Sequence, residues 1–114
     1  MNSLVFLKHR HPLGGLNRED FLAALRRRLE GRVIEAHVFG SVAAGTFTQE
    51  SDVDLILVAD SKAPFFERAQ DFFDLHDLAP RLDLLVYTPD EFAELRRDPQ
   101  GFWKTAFQEM IRLL

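Results

Sequence analysis

The sequence predicts an α+β, or small α/β, domain built on a short mixed sheet of three to four strands, with helices packed mainly on one face. Three short apolar segments have strand character, and segments with helical periodicity alternate with them. The chain has 114 residues, of which 46% are hydrophobic, enough for one compact core. We therefore expect one domain over residues 1–114, with an extension at 1–16 and C-terminal helices at 89–114.

The first helix and strand carry clear boundary signals. Asn17 is a helix N-cap with Asp20 in the first turn, and apolar residues then recur at helical spacing until Gly31. The segment 33–39 is partly alternating and rich in β-branched residues, which predicts a strand. This strand runs directly into the dipeptide Gly40-Ser41, which predicts a turn.

Two further strands and three helices complete the predicted order. The strands are 52–59 and 82–87. Between them, one face of an amphipathic helix is expected to be buried, and it consists of Phe65, Phe66, Ala69, Phe72, Phe73 and His76. Thr88-Pro89 begins a helix that runs to about Arg97. A last helix is predicted from an apolar stripe of Phe102, Trp103, Ala106, Phe107, Met110, Ile111 and Leu114.

Composition excludes several kinds of site. The chain has no cysteine, so a metal would need oxygen or histidine ligands, and oxygen favours Mg²⁺ or Mn²⁺. The net charge of −4 argues against nucleic-acid binding without a partner. No apolar run is long enough to span a membrane, and the first residues lack the features of a secretory signal. We expect a cytoplasmic protein.

Three carboxylates are the candidate chemical groups. Asp52 and Asp54 project from one face of a strand, a little under ~7 Å apart. Asp83 lies in the next strand among apolar residues, where a lone carboxylate is costly. A divalent cation would explain such a group of acids. His37, on a nearby strand, is more simply a partly buried histidine with an ordinary hydrogen bond.

The turn before these acids suits an anion. The segment 40–45 leaves a strand with glycine at both ends, so its backbone N–H groups and the Ser41 hydroxyl can approach a phosphate. A phosphate-binding turn beside a metal site indicates phosphoryl transfer.

The same residues carry a family resemblance. Gly40-Ser41, ten intervening residues and then Asp52-Val53-Asp54 resemble the Gly-Ser…Asp-x-Asp signature of the DNA polymerase beta nucleotidyltransferase superfamily. The resemblance covers residues 33–89. The short length is similar to that of the minimal nucleotidyltransferases, some of which are antitoxins paired with HEPN ribonuclease toxins.

This resemblance implies a nucleotidyltransferase fold and an activity. Asp52 and Asp54 would bind two Mg²⁺ ions, or Mn²⁺, and Asp83 would complete the site and assist the nucleophile. Gly40 and Ser41 would hold the β- and γ-phosphates of ATP. Antitoxin members of the family transfer AMP from ATP to a tyrosine of the partner toxin, so a HEPN protein is the expected partner.

One departure keeps other interpretations open. Ala44 stands where the family often has arginine, and Lys62 is a candidate replacement for that cation. The alternatives are a transferase acting on a small molecule, and a binding module that neutralises its partner by contact alone. A homo-oligomer also remains open. The segment His9-Arg10-His11 is interpreted as a flexible polar tail.

Overall fold

The computed structural model describes residues 11–114 as a mixed four-stranded sheet with helices, which confirms the predicted fold class. The prediction for His9 and Arg10, and most of the N-terminal extension, fall outside the described residues. The sheet has the order β3-β2-β1-β4. Its strands are β1 (Glu35–Phe39), β2 (Val53–Val58), β3 (Leu82–Tyr87) and β4 (Ile111–Arg112).

In the described part of the chain, four α-helices connect or flank these strands: α1 (Arg18–Leu29), α2 (Gly40–Ala44), α3 (Pro89–Arg97) and α4 (Phe102–Glu109). The predicted caps are confirmed. The Asn17 side chain accepts a hydrogen bond of 2.8 Å from the backbone N–H of Asp20 at the start of α1. Thr88 and Glu91 form a reciprocal capping box at the start of α3. No helix within residues 11–114 is long and apolar enough to cross a bilayer.

The end of the chain differs from the prediction. The last helix was expected to continue through Leu114, but it ends at Glu109, and Ile111–Arg112 pairs antiparallel with β1 opposite His37 and Val38. The reason is that β1 would otherwise be an edge strand with unpaired backbone groups, and β4 satisfies them. This short strand gives the sheet its fourth member.

Helices cover both faces of the sheet rather than mainly one. Alternate residues of β2 enter two separate core clusters. Val53, Leu55 and Leu57 pack with α1 and with a 3₁₀ segment at Phe65–Asp77. Ile56 and Val58 pack with residues of α3 and α4. The second face, covered by α3 and α4, is also the face toward which Asp54 points by alternation.

The segment between β2 and β3 corrects a second prediction. It was expected to be an amphipathic helix that buries both pairs of phenylalanines, but it is a 3₁₀ helix with a kink at Phe72. Phe66 is 91% exposed and Phe73 is 72% exposed, whereas Phe72 and Leu75 are buried. Because a 3₁₀ helix has three residues per turn, the buried positions follow a spacing near three, and the second phenylalanine of each pair turns to solvent.

Candidate active site

The sheet brings two of the three predicted acids into direct register. In the parallel pair of β2 and β3, Asp54 lies opposite Asp83, and on the other side Asp54 lies opposite Phe39 of β1. Asp52 immediately precedes β2, with a side chain 55% exposed, and alternation places it on the same face. The three acids therefore occupy one end of one face, where β2 and β3 begin.

Asp54 is the most buried of the three acids: it is half-buried, while Asp52 and Asp83 are exposed. Burial, together with the nearby carboxylates of Asp83 and Asp52, raises the pKa of Asp54 to about 6, and burial is the largest cause. Without a bound cation, the ionised form of Asp54 is therefore disfavoured in the folded protein. A bound cation would offset both the burial of this carboxylate and its repulsion by the neighbouring acids.

Position 40 requires glycine because the backbone there lies against the side chain of Asp54. Its backbone has a φ of +72°, which side-chain-bearing residues rarely adopt. A Cβ atom on Gly40 would also overlap the carboxylate of Asp54 at Oδ2. The Gly-Ser turn and the acid of β2 are therefore in van der Waals contact, with no room for a side chain between them.

The predicted phosphate turn is the short helix α2 and its closing loop. Ser41 lies in its first turn, and the Ser41 carbonyl accepts a 3.0 Å hydrogen bond from the N–H of Thr46. Gly45 ends the helix in the left-handed conformation, with a φ of +78°. Gly40 and Ser41 thus stand between the end of β1 and the acid pair, as the sequence predicted.

Arg18 supports this turn and was missed by the sequence analysis. Its guanidinium donates hydrogen bonds of 2.8 Å to the carbonyl oxygens of Val42 and Ala43. These are C-terminal carbonyls of α2, where a cation is favourable. Arg18 is separated by 24 residues from the nearer carbonyl, and no spacing in the sequence points to the contact.

Arg81 is a second cation that the sequence analysis missed. It lies two residues before Asp83, donates a hydrogen bond to the carbonyl of Gln49, and lies 3.9 Å from Glu50 and 4.0 Å from Asp52. It therefore fixes the loop that leads into β2 and stands beside Asp52. Its place just before an acid-bearing strand was the only signal available.

Lys62, the candidate replacement for an arginine at position 44, is at the wrong end of the sheet. It lines an open cavity of about 620 Å³ with residues that follow β2 and β3, among them Asp60 and Thr88. The length of β2 between Asp54 and Val58 separates the two ends by about 13 Å. A smaller cavity of about 300 Å³, lined by Asp60 and Arg68 among others, is also at this far end. Neither cavity includes the acids.

His37 has the hydrogen bond that the simpler interpretation predicts, but it is a core residue and more deeply buried than expected. It is 1% exposed, its Nε2 lies 3.1 Å from Glu35, and its ring stacks on Phe92 at 5.2 Å. Burial lowers the pKa of His37, and the hydrogen bond to Glu35 opposes that effect. The neutral ring is thus a packing element under α3.

The donor chemistry of the site fits a divalent cation. Three carboxylates share one face, and in the described part of the chain one of them, Asp52, has a cation beside it, Arg81 at 4.0 Å. Within residues 11–114, no three Asp, Glu or His side chains already stand at metal-binding distances from one another. Asp52, Asp54 and Asp83 therefore share one face without forming a ready-made set of three metal ligands.

Comparison with known proteins agrees with the geometry. The sequence profile of a family described as nucleotidyltransferase domain matches residues 18–101, which is most of the chain. A candidate protein adenylyltransferase of Methanocaldococcus jannaschii is 40% identical over 42 residues, covering 37% of this chain and 42% of that protein. The match thus spans less than half the length of that relative.

A crystal structure of a candidate nucleotidyltransferase from Sulfolobus solfataricus is also similar. It has a TM-score of 0.45 and 18% sequence identity, over 82% of this chain and 81% of that one. The family profile spans α1, the Gly-Ser turn, all three acids and α3. The chain therefore belongs to the nucleotidyltransferase domain family.

Proposed function

We propose that this protein transfers AMP from ATP to a hydroxyl group on a partner protein. The observation that carries the proposal is the register of β2 and β3, which sets Asp54 beside Asp83 and against the Gly40-Ser41 turn. A group of acids next to a turn with free backbone donors is suited to a substrate that carries both metal ions and phosphates.

The metal would be held by Asp52, Asp54 and Asp83. It would consist of two Mg²⁺ ions, or of Mn²⁺ in their place. When bound, these ions neutralise the charge of the triphosphate and polarise its phosphoryl oxygens. The raised pKa of Asp54 supports this assignment, because no side chain of residues 11–114 places a paired cation at that carboxylate. Gly40 and Ser41 are placed to hold the β- and γ-phosphates.

The proposed reaction is an in-line displacement at the α-phosphorus of ATP. The acceptor oxygen forms a new bond to phosphorus, and the bond from phosphorus to the oxygen bridging to the β-phosphate breaks. Pyrophosphate leaves with that oxygen, and the proton of the acceptor hydroxyl passes to the carboxylate of Asp83, which is exposed and therefore accessible to a bound acceptor.

A protein acceptor is supported by one observation. The M. jannaschii relative is named as a candidate protein adenylyltransferase. By the family resemblance, the partner is a HEPN-type helical protein.

The test is label transfer from ATP in a lysate of the source organism. Purified protein is incubated with Mg²⁺, lysate and ATP labelled in the α-phosphate, beside an Asp52→Asn, Asp54→Asn double variant. Asp60→Asn, an exposed acid just beyond the other end of β2, is the matched control. We expect a labelled protein band with wild type and Asp60→Asn and none with the double variant. A band of equal intensity with the double variant would refute the role of the acids.

A further inference from the structure

Phe102 is a large exposed aromatic residue at the edge of the proposed active site. Its side chain is 64% exposed at the first position of α4. The residue before it, Gly101, has a φ of +54°, so the backbone turns sharply into the helix there. Helix α4 packs against both α2 and β1. The beginning of α4 is therefore close to the Gly-Ser turn.

Phe39 connects Phe102 to the acids. Phe39 lies directly opposite Asp54 in the sheet, and neighbours of this kind have Cβ atoms about 4.5–5.5 Å apart. The rings of Phe39 and Phe102 are 6.0 Å apart in an edge contact. These two contacts link the Phe102 ring to Asp54 through Phe39.

The ring of Phe102 is also held from a second side. Trp103 meets Phe102 in another edge contact at 5.3 Å, and Trp103 itself packs on Phe39 at 5.7 Å. Three aromatic rings thus form one cluster, of which Phe39 is buried and Phe102 is the exposed member. An aromatic ring that its neighbours fix and solvent reaches is suited to stack on a flat ligand.

We propose that Phe102 is the stacking platform for the nucleobase of the substrate. This inference rests on the proposed function, since it takes the triphosphate to lie at the acids and the Gly-Ser turn. The base then extends along the face of the sheet over Phe39 to Phe102. Stacking of this kind accepts any base, because every base has an aromatic face. Phe102 therefore contributes affinity for nucleoside triphosphates as a class.

Two other exposed phenylalanines provide matched controls. Phe66 and Phe73 are 91% and 72% exposed, and both belong to the 3₁₀ segment, which packs on the opposite face of the sheet from Asp54. Their ring contacts are local, to Phe65 and to His76. Truncating either one removes an exposed ring without touching the aromatic cluster beside the acids.

The test compares equilibrium binding of two probes in the presence of Mg²⁺: ATP, and inorganic tripolyphosphate, which has the phosphates but no base. We expect Phe102→Ala to weaken ATP binding by roughly 5- to 100-fold and to leave tripolyphosphate binding unchanged. Phe102→Tyr should bind ATP within about twofold of wild type, because the ring is kept. Phe66→Ala should bind both probes as wild type does.

Several results would overturn the inference, and one of them is distinct from failure of the proposed function. If Phe102→Ala binds ATP as tightly as wild type, while wild type binds both probes, the base lies elsewhere and the proposed function stands. Equal loss of both probes in Phe102→Ala would show a structural effect and not stacking. If wild-type protein binds neither probe, the nucleotide site itself is refuted, and the role of Phe102 fails with it.

Discussion

Replacing Asp54 by asparagine should stabilise the metal-free protein while abolishing its activity. The pKa of Asp54 is raised from an ordinary value of 3.8 to about 6, first by burial and then by Asp83 and Asp52. A difference of that size corresponds to about 3 kcal/mol against the ionised form at neutral pH. Because Asp54 is only half-buried, solvent screening reduces the effect, and we expect a gain of about 1–2 kcal/mol.

The pH dependence of this gain follows from the sign of the pKa change. Since the folded protein binds the Asp54 proton more tightly than the unfolded chain does, wild-type stability from this group is complete below pH 3.8 and falls as pH rises towards 6. The advantage of Asp54→Asn should therefore be full near pH 7.5 and disappear near pH 4.

The assay is thermal or urea unfolding of both proteins in EDTA at these two pH values, with Asp60→Asn as a control that should behave as wild type. At pH 7.5, a gain of 1–2 kcal/mol corresponds to a rise in melting temperature of about 4–10 °C for a domain of this size. Adding Mg²⁺ should then raise the melting temperature of wild type more than that of Asp54→Asn. A variant that is less stable than wild type in EDTA at pH 7.5 would refute the reasoning.

Three further predictions concern local packing. Gly40→Ala should abolish ATP binding and destabilise the fold by about 2–4 kcal/mol in urea unfolding, because its Cβ overlaps Asp54 and its φ is strained. Gly45→Ala is strained at a φ of +78° but has open space around it, so it should destabilise the fold by about 1 kcal/mol and leave some ATP binding. Phe72→Ala should cost about 3–5 kcal/mol, and Phe73→Ala less than about 1 kcal/mol, in the same assay, because only Phe72 is buried. Glu91→Gln should cost about 1 kcal/mol at pH 7 and nothing near pH 2.

The pH dependence at Glu91 has the opposite sign from that at Asp54. The hydrogen bond from Arg68 and then the backbone of Thr88 lower the pKa of Glu91 to about 2. Stability from this group is therefore present above pH 4.5 and is lost as pH falls towards 2. An equal loss of unfolding free energy for Glu91→Gln at pH 7 and pH 2 would contradict the ion pair. Equal losses for Gly40→Ala and Gly45→Ala would contradict the Asp54 contact. Equal losses for Phe72→Ala and Phe73→Ala would contradict the 3₁₀ phase.

The sequence predicted elements whose boundary signals are local. Asn17 and Thr88 are caps that act within three residues, and both helices begin there. The bounds of β3 also agree with the prediction. Two of the errors concern features that local patterns do not encode: the strand at Ile111–Arg112 depends on a free edge of β1, and the 3₁₀ phase of Phe65–Asp77 depends on packing against β3.

The candidate site also combines features that local sequence patterns predict with features that only the fold determines. The pattern of Asp52, Asp54 and Asp83 indicated acids on strands, but their convergence required that β2 and β3 be neighbours, and the parallel register that pairs Asp54 with Asp83 is a property of the fold. The roles of Arg18 and Arg81 depend on contacts made between distant segments. No spacing pointed to Arg18, and the place of Arg81 just before β3 was its only local signal.

The most direct test of the central claim is to compare ATP labelled in the α-phosphate with ATP labelled in the γ-phosphate, using wild-type protein, Mg²⁺ and the acceptor identified in the lysate. Nucleotidyl transfer predicts that the acceptor takes up the α-label only, that pyrophosphate is released in equal amount, and that both signals disappear in the Asp52→Asn, Asp54→Asn variant. Uptake of the γ-label, or no uptake of either label by any acceptor, would contradict the account.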